Sequence, residues 1–527
     1  MQTTNGIPLK NDETKPSHVR AELQKAQNEL TLIDDLLAGP ARMLERASAY
    51  IKSWPNERPE VYLMRRTADT CFGGLQRTVN AGVGMVWGKE PSVNWGRAED
   101  RMKALWDNID ATGTKGTVLG AQFMRNALAH GCALLHIDHP PQPVDADNNQ
   151  IVVHSGNEEQ YNMRPVVSMH TRQQILSWRC EPVNNVETLV QLVLKETPGK
   201  NSGDYGVSSV TKYRVLRLVN DVATWELYET ISDGATTRFQ LEKSGTYVNR
   251  VGKKATRLPV AIAYTGYKRA ELDVDIPLIG VAYANLGHYR YATELAFNRK
   301  LSAYEQLVVS GELKKKRGEA SETIEIGPLI ALVMAQGGTA QWIGPSGKGL
   351  AELRMGMTEK LHEMDQMGLG FLVPQKTVQA TATETRIDAY AQLSSLVTTT
   401  VAVQDAINMA LEWIGWYEGI EKVDCAVLTL NTDFESREMD AGVMNAYVAM
   451  VKAGFPRMAV LQALREGKRI PPDADLDKLA LEWESAAFAQ EELEAEQQRL
   501  RQDAAQREDD NTQPKRESQD DDDDSDV

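Results

Sequence analysis

The chain has 527 residues, 42% of them hydrophobic and 25% charged, near the average of soluble globular proteins, which excludes collagen-like and wholly disordered chains. At about 100–200 residues per domain, the length implies several folded units. Acids outnumber bases 74 to 58 for a net charge of −16, and residues 491–527 alone hold 15 acids and 5 bases, leaving −6 for the rest. That body lacks the strongly basic balance of a protein that grips DNA phosphates.

Cys71, Cys132, Cys180 and Cys425 lie far apart, with no pair at the spacing of a zinc site or redox couple, and read as buried thiols in a reducing compartment. Met1 to Arg20 has no apolar segment of the secretory kind, and the longest apolar run, Pro328 to Ala335, is eight residues, against the roughly 20 that span a bilayer. Synthesis in the cytoplasm is expected.

Residues 1–17 are expected to be disordered. Helical patterning starts near Val19 and runs through Leu23, Leu30, Leu32 and Leu36 to Gly39-Pro40. Between Pro59 and Val86, the positions Tyr62, Met64, Ala68, Phe72 and Leu75 suit one further helix. Gly82-Val-Gly84 invites a dinucleotide-binding reading, but Trp87-Gly88 stands where the helix-opening glycine should be, and the motif follows a helix rather than a strand.

Residues 117–130 read as a helix ended by Gly131, followed by a strand from Cys132 to His139. Alternation sets Ala133, Leu135 and Ile137 on one face and His136 and Asp138 on the other, which predicts a half-buried strand with a solvated polar face; His136 and Asp138 could hold a metal only with a third ligand, which nothing nearby supplies. From Leu189 to Leu241 the pattern is β: a strand at Leu189 to Glu196, a hairpin from Tyr213 to Val219 through Asn220-Asp221 to Val222 to Tyr228, and a strand at Phe239 to Leu241. This predicts an antiparallel meander inside an α+β domain.

Beyond Ile276-Pro277 the character changes. Gly280 to Ser310 predicts a helix of about 30 residues, near 45 Å long. Residues 312–345 contain the cluster Lys314-Lys315-Lys316-Arg317 and a strand-like Thr323 to Ile326. A second helix is expected from Leu350 to Met367, then Gly368 to Pro374, a Thr-rich stretch, and a third helix from Thr383 to Tyr417. In this last helix Leu393, Leu396, Thr400, Val403, Ile407, Ala410, Ile414 and Tyr417 follow alternating three- and four-residue steps, a stripe that predicts a partner helix along most of its length. Helices are also expected over 436–453, 456–466 and 475–502, and an acidic tail beyond Asp503 that cannot bury a core.

Catalytic signatures are missing. Gly344-Pro-Ser-Gly-Lys-Gly349 departs from a phosphate-binding loop because Trp342 replaces its first glycine and Gly349 its magnesium-binding hydroxyl. Acids such as Glu363 and Asp365, two apart on a helix, do not face each other. No enzyme activity, cofactor or metal is expected.

The order of long helix, compact insert, returning helix, Thr-rich loop and very long helix resembles the central part of portal proteins of tailed bacteriophages. The resemblance to this phage and prophage portal-like family extends through Arg164-Pro165, Ile175 to Arg179, Pro277 to Arg290, Thr381 to Arg386, Ser395-Leu396 and Asn431 to Phe434, patches within residues 40–485. It implies an α+β portal-type fold assembled as a ring, typically of about twelve copies, at one capsid vertex of the virion. Through that ring a terminase pumps double-stranded DNA, which later leaves by the same bore. By resemblance, 18–275 with 384–435 form the wing, 276–309 and 346–370 the stem helices, 310–345 the clip, 371–383 the tunnel loop and 436–503 a helical crown, with 504–527 the tail. The implied partners are other copies of the chain, the large terminase subunit, major capsid and scaffolding proteins, a head-tail adaptor, and DNA held without sequence preference. The implied sites are a tunnel loop of Gln375, Lys376, Thr377, Gln379, Thr381 and Thr383 facing DNA, and Lys314, Lys315, Lys316 and Arg317 on the clip facing terminase or adaptor. A different minor head or head-tail adaptor protein is the alternative, and a DNA-packaging enzyme a remote one.

Overall fold

Gly39 and Gly131 stop the first helical stretches in the left-handed region, at φ 94° and 85°, where a side chain would clash with its own backbone. The computed structural model describes residues 14–140, 160–202, 205–233, 236–303, 306–310, 339–343, 348–368, 382–432, 456–466 and 475–482, together with 151, 434 and 450. The chain divides into two units, Met1–Phe434 and Glu435–Val527.

The first unit opens with α1 (Ala21–Ala38), then α2 (Pro40–Glu45), which starts on a proline at its first turn, and α3 (Ala47–Tyr50). Residues 14–17, expected to be disordered, form turns instead. The single helix expected over 59–86 is two, α4 (Pro59–Arg66) and α5 (Gly74–Trp87). Gly73-Gly74 and the polar Thr67, Asp69 and Thr70 favour the break. Gly82 and Gly84 lie inside α5, which is incompatible with a strand-to-helix nucleotide loop.

There follow β1 (Ser92–Asn94), α6 (Glu99–Asp107), α7 (Gly116–His130), β2 (Cys132–Asp138) and β3 (Val166–Thr171). A five-stranded meander is built from β4 (Ile175–Val183), β5 (Val186–Glu196), β8 (Lys212–Val219), β9 (Val222–Asp233) and β10 (Thr236–Thr246). Between β5 and β8 a small ribbon, β6 (Gly199–Ser202) and β7 (Gly206–Ser209), is inserted. Two two-residue turns set the meander's register: Asn184-Asn185 at φ 51° and 64°, and Asn220-Asp221 at φ 49° and 57°. Both central residues at positive φ match the right-handed twist of the flanking strands, and asparagine and aspartate tolerate that conformation. The meander runs longer than the sequence suggests, beginning at Ile175 and ending at Thr246.

A second sheet has the order β11 (Val260–Tyr264), β2, β3, and β12 (Lys268–Ala270) with β13 (Asp273–Val274) forms a short hairpin. Next come α8 (Ile279–Ala303), β14 (Gln306–Ser310), β15 (Thr339–Ile343), α9 (Lys348–Met367), α10 (Ala382–Glu418, 37 residues) and β16 (Val427–Thr429). The helix expected from Gly280 to Ser310 thus ends at Ala303. Its last segment, with Val308 and Val309, is a strand paired with β15. In the second unit, α11 (Arg457–Glu466) and a helical turn at 476–482 are described; the helix expected at 436–453, apart from Met450, and the tail lie outside the described residues.

Two cores form in the first unit. One joins α1, α5 and α8 through Leu30, Ile33, Leu75, Val79 and Tyr289. The other lies between α7, α10 and the β11-β2-β3 sheet around Phe123, Leu134, Ile137, Val403 and Ile407. The stripe of α10 is therefore buried within one chain from Leu396 to Tyr417, mainly against a sheet and α7 rather than along a partner helix. Thr400 is tolerated there because its hydroxyl donates to the Leu396 carbonyl at 2.7 Å. Among the described residues, no helix is long and apolar enough to cross a membrane.

Candidate functional site

Small residues bring α8 and α9 together. A Cβ built on Gly280 would lie 2.8 Å from Met367 Sδ, one on Gly287 3.1 Å from Lys360 Cδ, and one on Gly356 2.8 Å from the Tyr291 ring. Each step along α8, from 280 to 287 to 291, is matched by the same step backwards along α9, from 367 to 360 to 356. The two helices are thus antiparallel, with the glycines forming the seam where a larger side chain would wedge them apart.

Two buried polar anchors fix α8 to the body. Asn285 is fully buried, and its Oδ1 accepts from the Leu75 amide at 2.9 Å while its Nδ2 donates to the Phe72 carbonyl at 2.8 Å. It thereby satisfies an amide in the first turn of α5, one of the donors a helix leaves unpaired at its start. Arg65 on α4, 1% exposed, donates twice to Glu57 at 2.8 Å, to Glu294 of α8 at 2.6 Å and to the Lys52 carbonyl at 2.7 Å, with its guanidinium 4.2 Å over Trp54. A buried cation is stable here because each face of the guanidinium fork meets an acceptor.

At the end of the pair opposite Gly280 and Met367, β14 and β15 form an antiparallel ribbon from Gln306↔Ile343 to Ser310↔Thr339. Residues 311–338 are inserted at its tip, so Lys314, Lys315, Lys316 and Arg317 lie outside the described residues, as do Gln375, Lys376, Thr377, Gln379 and Thr381 between α9 and α10. Thr383, assigned to the loop by sequence, belongs to the helix, because α10 begins at Ala382. On α9, three bases are set among four acids; Glu352, Arg354, Glu359 and His362 are exposed, and Lys360 is paired with Glu363 at 2.7 Å. Among the described side chains of α9, the bases form no stripe.

The strand residues His136 and Asp138 sit elsewhere, and their face is largely buried rather than solvated, with Asp138 at its edge still 28% exposed. That face packs toward the meander, making β2 a central strand buried on both sides, with His136 1% exposed. His136 Nε2 meets the Tyr247 hydroxyl at 2.9 Å, and Asp138 accepts from Arg214 at 3.0 Å, whose Nε also donates to Glu196 at 2.6 Å. Ser168 lies 3.2 Å from His170 Nε2. Burial is the leading cause of the low pKa of both histidines, and His170 is pushed down to about 4. The same burial raises Asp138, with Arg214 opposing it. Each of the two candidate metal ligands is thus engaged by a protein partner, and the cluster joins the two sheets as a polar network.

Sequence reasoning missed Asn285, Arg65 and Glu294. Their signal was faint: isolated polar residues in apolar helix patterns. The seam had a clearer signal that also went unread, since Gly280 and Gly287 are one heptad apart.

A family model described as a domain of unknown function, DUF4055, matches residues 277–418, the stretch from α8 through α10. No curated protein matches the chain. Among solved structures, a chain of the "Neck of empty GTA particle computed with C6 symmetry" is 12% identical, with a TM-score of 0.35, over 79% of this chain and 94% of that one. A chain of the "Virion of native gene transfer agent (GTA) particle" is also 12% identical, with a TM-score of 0.34, over 78% of this chain and 94% of that one.

Proposed function

We propose that this chain is the subunit of a phage or prophage portal, a ring at one capsid vertex through which double-stranded DNA is packaged and later ejected. The observation that carries the reading is the order and packing of α8, ribbon, insert, α9, connecting segment and α10. An antiparallel, glycine-seamed helix pair is interrupted at one end by an insert and followed by the longest of the described helices, which is the order of elements the sequence resemblance implies. The charge balance supports the same role. A conduit must let DNA slide, so its wall should avoid dense Lys and Arg contacts, and a helix with more acids than bases suits it.

In this role the chain acts by shape and contributes no bond-making chemistry. Residues 311–338, with Lys314 to Arg317, dock the terminase during packaging and a head-tail adaptor afterwards. Gln375, Lys376, Thr377, Gln379 and Thr381 touch passing DNA, with one lysine per subunit giving weak, rapidly exchanging contacts. The test is genome packaging by particles carrying variant subunits. Lys376→Glu and deletion of residues 375–382 are expected to leave assembly intact but to reduce packaged DNA, the deletion more severely. Replacement of Lys314 to Arg317 by Ala is expected to weaken terminase association in a salt-dependent way. Normal packaging and DNA retention in all three variants would overturn the assignment of these segments. An adaptor would instead bind to a preformed ring of another protein.

A further inference from the structure

On one face of the meander, the segment 14–20 crosses the sheet and roofs a cleft of about 360 Å³. The roof is pinned by Arg20, whose amide donates to the Leu176 carbonyl at 3.0 Å and whose Nη1 donates to the Trp178 carbonyl at 2.8 Å. Lys15, His18 and Arg20 line the cleft from above, and Arg179, Gln191 and Arg217 from below. The lower three form a row across neighbouring strands, since Arg179 of β4 is opposite Gln191 of β5, and Gln191 is opposite Arg217 of β8. Strands about 4.8 Å apart set the two arginine positions about 10 Å from each other, with an amide between them.

All the charged side chains that line this cleft are cationic. In the roof Arg20 is paired with Glu22 at 3.2 Å, whereas on the floor Glu181 and Glu226 approach Arg179 and Arg217 only to 3.9 Å, beyond hydrogen-bond distance, so the floor arginines are the better placed to take a ligand. Both guanidiniums remain largely exposed, at 67% and 46%, and can offer their planar forks to carboxylates. We infer that this cleft binds an extended acidic peptide segment of a partner protein, with its carboxylates on Arg179 and Arg217. A strand-like peptide rises about 3.3 Å per residue, so a short run of Asp or Glu laid across the strands reaches both arginines.

The lining disfavours a nucleic-acid strand, which needs open aromatic faces for its bases. Trp178 is 8% exposed and already covered by the Arg20 guanidinium, 4.6 Å from its ring, and the Tyr228 hydroxyl is committed to Glu226 at 3.0 Å.

The experiment is fluorescence anisotropy of a labelled oligo-aspartate peptide titrated with the full-length protein at about 50 mM salt, where screening is moderate. Saturable binding is expected, weakening as salt rises. The double variant Arg179→Glu, Arg217→Glu should lose about tenfold or more in affinity, whereas Arg179→Lys, Arg217→Lys should keep most of it. Circular dichroism and melting of both variants should match the parent, because the altered side chains are exposed. Absence of saturable binding, or equal affinity in the charge-reversed variant, would overturn the inference. Binding of a thymidine oligonucleotide that is lost in the charge-reversed variant, while the peptide fails to bind, would overturn it in favour of a nucleic-acid site.

Discussion

Replacing Asn285 by Ala removes the side chain that holds α8 to the first turn of α5. Two backbone groups lose a hydrogen bond, and they differ in what remains: the Phe72 carbonyl still accepts from Cys71 Sγ at 3.4 Å. Phe72 is 40% exposed and its carbonyl contact is only partly buried; Leu75 is 0% exposed, and its amide would stay unpaired. An orphaned buried donor costs about 1–3 kcal/mol, and the small void left by the amide group adds about 1 kcal/mol. The expected loss is about 2–4 kcal/mol. Urea unfolding measures it as a lower midpoint, and hydrogen exchange should show the Leu75 amide losing protection ahead of the rest of α5. As a comparison, Asn408 makes a similar bidentate contact with the Leu428 amide and carbonyl, at 2.7 and 3.0 Å, in a less buried setting, so Asn408→Ala should cost about 1–2 kcal/mol. An Asn285→Ala protein that unfolds with the parent, and keeps the Leu75 amide protected, would refute the anchoring argument.

Gly356→Val should force the Tyr291 ring out of the seam and destabilise the α8-α9 pair by about 1–3 kcal/mol, whereas Gly84→Ala in α5, with no heavy atom within 4 Å of its built Cβ, should be neutral or stabilising by up to about 1 kcal/mol in the same melts. Arg65→Met strands the Glu57 carboxylate, whose side chain is 2% exposed, and should lower the unfolding midpoint, a loss that Glu57→Gln partly recovers in the double variant. His170 falls from 6.5 to about 4 on folding, so the unfolded chain binds the proton first; its contribution is complete above pH 6.5 and is lost as pH falls towards 4, by about 3 kcal/mol. His170→Gln should flatten that slope in denaturation curves taken across this range.

The hairpin at the centre of the meander was legible because Asn220-Asp221 state their backbone conformation directly, and the stops at Gly39 and Gly131 were legible for the same local reason, whereas the equivalent Asn184-Asn185 turn and the strand before it went unread. What escaped was set by distant partners. Gln306 to Ser310 carries an apolar, β-branched run that continues a helical pattern equally well, and only pairing with β15, far along the chain, makes it a strand. His136 and Asp138 alternate as a solvated face would, yet Tyr247, just past β10, and Arg214 of β8 arrive to partner them in a largely buried one. The stripe of α10 announced a long buried face correctly but not its partner, since a sheet and a helix present similar apolar surfaces to it. That stripe is consumed inside the chain between Leu396 and Tyr417, so it offers no exposed seam for assembly there. Of the candidate site, the helix pair and its order were readable, whereas Asn285 and Arg65 were single polar residues whose meaning depends on what they touch.

The central claim is assembly into a closed ring around a channel, and electron microscopy of the purified full-length protein tests it most directly. End-on views are expected to show a ring of identical subunits with an open axial hole. Fields of single particles, matched by a solution mass of one 58.5 kDa chain at micromolar concentration across several salt conditions, would contradict it.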